Sequence, residues 1–379
     1  RDLHRLIRRQ RQMCIRDREE NVYRRLARRL DALPNGFPST QSGVEIRLLA
    51  RIFTPEEAVL AAVMRLRRES AAEIAARAGV DVRAARRTLK GMARKGLVRV
   101  KKGKGELLFS LMPFVVGFYE EQLPRMDREM ATLFEQYLQE SQGGSITQAT
   151  PPVHRVIPVE EAIPVHIEIY PYEQASQLIE NAKSWGVRRC ICREQQRLIG
   201  KGCDHPIENC LVFAPIEGLF DHSSVERAIT KEEALQILRE AEEAGLVHSP
   251  GNYRDGIHYI CNCCSCCCGI LRGATEFGVS NAIARSGFQA VVDVETCVGC
   301  AACVERCMFG ALSVPEPEGV CVVDLARCVG CGVCTIVCPT DALHLERRPP
   351  DEDDLPPANI EDWMARRAQA RGLSLEDLV

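Results

Sequence analysis

The apolar positions change period several times along the chain, and each change marks an element or a boundary. Between residues 54 and 110 the period is helical and the elements are short. TPEE (Thr54–Glu57) is a capping box with proline at the first helical position, and SAAE (Ser70–Glu73) is a second. A helix is predicted over Ala71–Ala78, stopped by Gly79. Asp81 then caps a third helix reaching Lys95, whose Val82, Ala85, Leu89 and Met92 recur at a spacing that buries one face. LVRVKKGKGELLFSL (97–111) follows as two strand-like runs joined by Gly-Lys-Gly. Helix, helix, turn, helix and hairpin predict a winged helix-turn-helix. PFVVGFYEEQLPRMDREMATLFEQYLQE (113–140) is expected to continue as helix, packing on its own domain or against a second copy in a homodimer.

Past residue 140 the period is lost. SQGGSITQATPPVHRVIPVEEAIP (141–164) carries four prolines and predicts an extended linker or an arm laid over a neighbouring surface. Helical periodicity returns in YEQASQLIENAKSWG (172–186), closed by Gly186. It returns again in TKEEALQILREAEEAGL (230–246), with its own capping box and Gly245. In the tail, PPDEDDLPP precedes a short helix capped by Asn359, with Ile360, Trp363 and Met364 on one face. No apolar run has membrane-spanning length and no secretory segment is visible, which predicts a soluble, cytoplasmic protein with no membrane partner.

Charge adds a second layer. The 379 residues hold 49 Lys and Arg against 52 Asp and Glu, a net −3, but the basic residues crowd the first hundred positions. Positions 81–104 carry ten Lys or Arg against one Asp, an imbalance that phosphate contact explains better than a solvated helix face. Arg83, Arg87, Lys90 and Arg94 share one face of the third helix, suited to a major groove. Lys101, Lys102 and Lys104 in the hairpin would touch the DNA backbone. Protein docking by the same fold stays open. MCIRDR (Met13–Arg18) reads as the translation of a sequencing-library adaptor end or as an ordinary basic helix, so residues 1–18 and Cys14 carry no functional argument.

The cysteines carry the strongest signal. There are 20, and 19 lie between Cys190 and Cys338, mostly in C-x-x-C runs or touching clusters. That is the pattern of metal or iron–sulfur ligation, not of a disulfide scaffold. VVDVETCVGCAACVERCMFGAL and VVDLARCVGCGVCTIVCPTDAL repeat at an offset of 31 residues. The first contributes Cys297, Cys300, Cys303 and Cys307; the second contributes Cys328, Cys331, Cys334 and Cys338. Three cysteines at this spacing can wrap one face of a cube, and the fourth ligand must come from elsewhere. Gly299 and Gly330 are read as letting the backbone pass close to an inorganic core. Paired zinc sites seldom use two such interlocked runs.

These motifs resemble the bacterial-type two-[4Fe-4S] ferredoxins. The resemblance implies crossed ligation, with Cys297, Cys300, Cys303 and Cys338 holding one cluster and Cys328, Cys331, Cys334 and Cys307 the other. Pro339 follows the family pattern, whereas Met308 stands where the first repeat would carry proline, with altered packing of the first cluster as the expected result. Cys321, in VCVV, is read as a buried structural thiol. The order CICR, CDHPIENC, ICNCCSCCC and paired repeat further resembles an uncharacterised family of dicluster ferredoxin-like proteins, over about residues 165–345. That likeness implies an architecture and no particular reaction.

A third metal site, iron–sulfur or zinc, is expected from Cys190, Cys192, Cys203, Cys210, Cys261, Cys263, Cys264, Cys266, Cys267 and Cys268. His205 is a further ligand candidate. The six cysteines within 261–268 cannot all face one metal along any regular backbone, so the run supplies only part of a site. The division is then a basic segment at 1–43 and a winged-helix-like domain with helical extension at 44–140. A linker at 141–164, a Cys-rich α/β middle domain at 165–285, a ferredoxin domain at 286–348 and an acidic, Pro-rich tail at 349–379 follow. The fold class is α+β, multidomain.

No Rossmann fingerprint, Walker A run or nucleophile motif is present. The expected function is therefore electron transfer to or from a partner oxidoreductase, as a carrier or accessory protein and not a stand-alone enzyme. The alternative is a redox-responsive winged-helix regulator with the clusters as sensor.

Overall fold

The computed structural model describes residues 22–349 and 355–375. The adaptor-like MCIRDR segment, Cys14 and the acidic run 351–354 lie outside the described residues. The chain is α+β and divides into two compact units, residues 1–146 with 367–379, and residues 147–366.

In the first unit, local sequence signals act as their chemistry requires. Thr54 and Ser70 each close a reciprocal capping box with Glu57 and Glu73, opening helices Pro55–Ala61 and Ala71–Ala78. Gly79 ends the second of these in the left-handed conformation, at φ 66°. Asp81 accepts from the Ala84 amide and caps helix Val82–Arg94, whose Ala85, Leu89 and Met92 are buried. Val82 does not join them; it sits in the first turn and is exposed. Strands β1 (Glu69–Ser70), β2 (Val98–Lys102) and β3 (Leu107–Leu111) form an antiparallel sheet in the order β1-β3-β2, with Val98 opposite Leu111. Buried Glu69 is held by a two-pronged ion pair from Arg77, both contacts at 2.6 Å.

The expected continuous helix over 113–140 is broken. Its first half is two irregular turns, 114–118 and 120–125, because Gly117 and Pro124 interrupt the hydrogen-bond ladder. Only Arg128–Glu140 is α-helical. Phe114, Phe118, Tyr119, Phe134 and Tyr137 gather there, with Tyr119 stacked on Phe134 at 4.0 Å.

The second unit is built on a five-stranded antiparallel sheet. Its strands are β4 (Ser184–Arg189), β5 (Glu208–Ala214), β6 (Arg227–Ile229), β7 (Val247–Ser249) and β8 (Tyr259–Cys263), in the order β6-β4-β5-β8-β7. Helix Lys231–Glu243, capped by Thr230, packs on β4 and β5. Gly186, expected to close a helix, lies inside β4, and the helix ends earlier, at Glu180. The two faces of the ladder explain this: Trp185 and Gly186 pair with Phe213 and Val212 on one side, and with Ile229 and Ala228 on the other.

The proline-rich segment is an arm, not a free linker. Its residues form bridges from His154 to Gly251, Arg155 to Ala284 and Ile157 to His248, and Val156 and Ile157 are fully buried. The Val159 amide then donates to the Cys331 carbonyl at 2.9 Å, joining the arm to the second cysteine repeat. That repeat region consists of β9 (Phe288–Val292) paired with β12 (Leu343–Arg347), and β10 (Leu312–Ser313) paired with β11 (Val322–Val323). In the tail, Asn359 caps helix Ile360–Ala370 through the Asp362 amide, and Trp363 is buried with its indole N–H on the Pro152 carbonyl. No helix among the described residues is long and apolar enough to cross a membrane.

Candidate metal centres

The 31-residue repeat is visible atom by atom. Asp293 and Asp324 each accept from the amide two residues on, at 2.9 and 2.8 Å. Their carbonyls accept from the amides of Cys297 and Cys328, at 3.0 and 2.9 Å. Gly299 and Gly330 are both left-handed, at φ 64° and 70°. The same conformation recurs at Ala301 (φ 62°) and Gly332 (φ 77°), so one repeat uses alanine where the other uses glycine.

Two cavities lie between the repeats. One is lined by Cys297, Cys300, Cys303 and Cys338 with about 320 Å³ of empty space, partly open to solvent. The other is lined by Cys307, Cys328, Cys331 and Cys334 with about 380 Å³. Each cavity thus draws three cysteines from one repeat and the last from the other. A single tetrahedral ion with bonds of about 2.3 Å requires sulfurs about 3.8 Å apart. Among the described residues, no three thiols in either cavity come within 4.8 Å of one another, so both are wider than one ion needs. Backbone donors are already aimed at the sulfurs, the Cys321 amide at Cys297 Sγ (3.4 Å) and the Ala311 amide at Cys307 Sγ (3.3 Å). The donor set and the width fit a four-iron cluster.

Burial pushes the Cys331 thiol up to about 12 and raises that of Cys334 too, with neighbouring cysteines adding to it. Cys338 runs the other way. Burial opposes its ionisation, but hydrogen bonds from Thr340 and the Ala342 amide bring it below the usual thiol value.

Three details differ from expectation. Cys321 is buried as predicted, yet it also lines the first cavity, with its Sγ 3.5 Å from that of Cys303. Met308 lines the second cavity, not the first, because it follows Cys307 across the crossover. Gly299 and Gly330 are required by protein neighbours: a Cβ at either would stand 2.0 Å from a carbonyl oxygen, of Gly319 or Phe288 respectively.

The ten middle-domain cysteines separate into two groups, a division the sequence did not reveal. Cys190 caps helix Ile191–Leu198 and Cys192 lies in its first turn, while Cys268 caps Gly269–Thr275. Cys210 lies on β5, one step beyond the Leu211–Ile260 pair that sets it opposite Cys261; Cys263 shares the face of Cys261 on β8. These six form a ring, Cys190–Cys192–Cys268–Cys263–Cys261–Cys210, in which each thiol's ionisation is set chiefly by the two beside it. The result is an alternation. Interaction with their neighbours holds Cys190, Cys268 and Cys261 well below the usual thiol value, and the same interaction pushes Cys192, Cys263 and Cys210 well above it.

The turn at 265–267 sends the other cysteines away from the ring. Cys203, His205, Cys264 and Cys266 offer ligand atoms all within 4.8 Å of one another. Cys267 adjoins them, its Sγ 3.5 Å from that of Cys203. Hydrogen bonding from Cys267 brings Cys264 down to about 5, while burial takes Cys266 up to about 12. This second group is compact enough for one tetrahedral ion.

Arg193 stands between the two groups. It is 2% exposed, donates to the carbonyls of Pro206 (2.9 Å) and Asn262 (3.0 Å), and its Nε makes no hydrogen bond. Burial disfavours its charge, but Cys190, Cys264 and Cys263 more than restore it.

The seven basic residues singled out in the first unit, Arg83, Arg87, Lys90, Arg94, Lys101, Lys102 and Lys104, are all exposed on helix Val82–Arg94 and the β2–β3 hairpin.

Residues 296–342 match the family model described as 4Fe-4S dicluster domain. No curated protein and no solved structure matches the chain. The match falls on the segment that forms the two cysteine-lined cavities, and it marks the chain as an iron–sulfur protein with a 4Fe-4S-binding segment.

Proposed function

We propose that the chain is an electron carrier holding two [4Fe-4S] clusters and serving a partner oxidoreductase. Cys297, Cys300, Cys303 and Cys338 would hold one cluster, and Cys307, Cys328, Cys331 and Cys334 the other. The observation that carries this reading is the sharing of each cavity between the two repeats. Such a cluster, when bound, takes up one electron and gives it back. The protein's part is to fix eight sulfurs, aim amides at them and exclude solvent from most of the two cavities. Cys300 is exposed, and Val294 and Val298 beside it are exposed apolar side chains, a rim on which a redox partner can seat.

Anaerobically purified protein, once reduced, should pass electrons to an oxidised viologen and lose its reduced-state EPR signal. Protein that carries zinc and no iron would overturn the reading. The compact Cys203, His205, Cys264 and Cys266 group is proposed as a separate zinc site, its donors being sulfur and imidazole at single-ion spacing.

The exposed basic array supports a second role, contact with nucleic acid phosphates. The chain should then bind duplex DNA with affinity falling steeply in salt, and Lys101→Ala with Lys104→Ala should lower both affinity and salt slope. Salt-independent failure to bind would leave the array as a protein-docking face.

A further inference from the structure

We propose that the six-thiol ring of the middle domain is the ligand set of a polynuclear iron–sulfur centre, separate from the ferredoxin-type pair and from the compact group beside it. Its size is the first argument. No three of its sulfurs lie mutually within 4.8 Å, whereas the neighbouring Cys203 group meets that limit. One tetrahedral ion would need its sulfurs about 3.8 Å apart, so the ring as built is too open for a mononuclear site. A centre with several metal atoms spans such a ring without moving it.

The second argument is the way the six sulfurs are held. They come from two strands paired in the middle of a five-stranded sheet and from the first residues of two helices, not from a free loop. Cys190, Cys263 and Cys268 are buried, and Cys192, Cys210 and Cys261 are half-buried. Side chains locked on regular elements suit a preorganised site. Six converging thiols with no bridging metal would otherwise be an unstable arrangement, open to oxidation among neighbours.

Charge is the third. Arg193 is a nearly inaccessible cation with an unpaired Nε, and the groups facing it are cysteine sulfurs of both sets. A buried charge needs a counter-charge, and a thiolate-ligated metal centre supplies a net negative one. The ring contains no histidine or carboxylate, which favours the metals that choose sulfur. Six thiolates exceed the four that one cubane takes. They match three ligands for each half of a joined pair of cubes, and the same unit already carries cysteine runs of the four-iron type.

The test uses the full chain, produced and purified without oxygen, with iron, acid-labile sulfide, zinc and copper counted per chain. Three double variants accompany it: Cys261→Ser with Cys268→Ser in the ring, Cys203→Ser with Cys266→Ser in the compact group, and Cys300→Ser with Cys331→Ser in the ferredoxin-type sites. The proposal expects wild-type iron to exceed the roughly eight atoms of two cubanes by about four or more, with matching sulfide. The ring variant should lose that surplus and keep the ferredoxin-type EPR signals; the compact-group variant should keep the surplus. The third variant isolates the reading under Proposed function: if it loses no iron, that reading fails while the ring proposal stands. Wild-type iron of about eight or less that is lost in the ferredoxin-type variant would overturn the ring proposal even if no ring variant folds. So would a surplus that leaves with Cys203 and Cys266, or a ring variant that loses only zinc or copper.

Discussion

Gly330→Ala tests the physical basis of the second cysteine cavity. Gly330 sits at φ 70°, and a Cβ there would lie 2.0 Å from the Phe288 carbonyl oxygen and 2.3 Å from Ser286 Oγ. Two costs follow. The left-handed conformation costs an alanine about 1–2 kcal/mol, and relieving an overpacked contact about 1–3 kcal/mol more. The overlap is with backbone, and Phe288 is fully buried, so the loop must move instead. That loop is tied down by Ser286 Oγ on the Gly330 carbonyl (2.7 Å), by the Ser286 amide on Val329 (3.0 Å) and by Arg348 on the Cys328 carbonyl (2.6 Å). Displacing it displaces Cys328 and Cys331. Gly278→Ala is the control, because Gly278 has φ 69° with nothing within 4 Å of a Cβ. The control should lose about 1–2 kcal/mol and keep its iron; Gly330→Ala should lose about 2–5 kcal/mol. A difference of about 2 kcal/mol corresponds to roughly 4–8 °C in Tm for a unit of this size. Thermal unfolding of anaerobic full-length protein, with iron counted per chain, reads both. Equal melting temperatures and equal iron in the two variants would refute the close-approach argument.

Other positions make separate predictions. Cys321→Ala should leave iron content unchanged, whereas Cys303→Ala should cost about four irons; the reverse would make Cys321 the ligand at the first cavity. Ala301→Gly should stabilise the first repeat by up to about 1 kcal/mol, since Ala301 holds a left-handed conformation that its counterpart Gly332 meets without strain, and slower iron release to a chelator would show it. Glu73 is held below its usual 4.5 by the hydrogen bond from the Ser70 amide and then by the Ser70 hydroxyl. A depressed carboxylate contributes stability above its unfolded value, and that contribution is lost as pH falls through the folded value. Glu73→Gln should therefore melt lower than wild type at pH 7, with the gap closing as pH falls through the lowered Glu73 value.

Legibility in the sequence followed the range of the interactions. Thr54, Ser70 and Asp81 act on amides three residues away, so their helices were readable from a short window. The repeat at 297–338 was equally plain, because the spacing of its cysteines is itself the signal. Gly186 misled because its conformation is set by strands 26 and 42 residues distant in sequence, through Val212 and Ala228. The helix expected over 113–140 had apolar content enough but carried Gly117 and Pro124, whose local effect outweighed the periodicity. The run from Cys261 to Cys268 showed that its thiols could not share one metal. Which of them face which group depends on the β5–β8 register and the turn at 265–267, and neither has a local marker.

The central claim is that the two repeats share a pair of four-iron clusters. The most direct measurement is EPR of the dithionite-reduced, anaerobically purified chain, with iron and acid-labile sulfide counted on the same sample. The account predicts iron and sulfide in equal amounts, at least about eight of each, and a reduced signal broadened by coupling between two neighbouring clusters. Zinc in place of iron, or iron without sulfide, would contradict it.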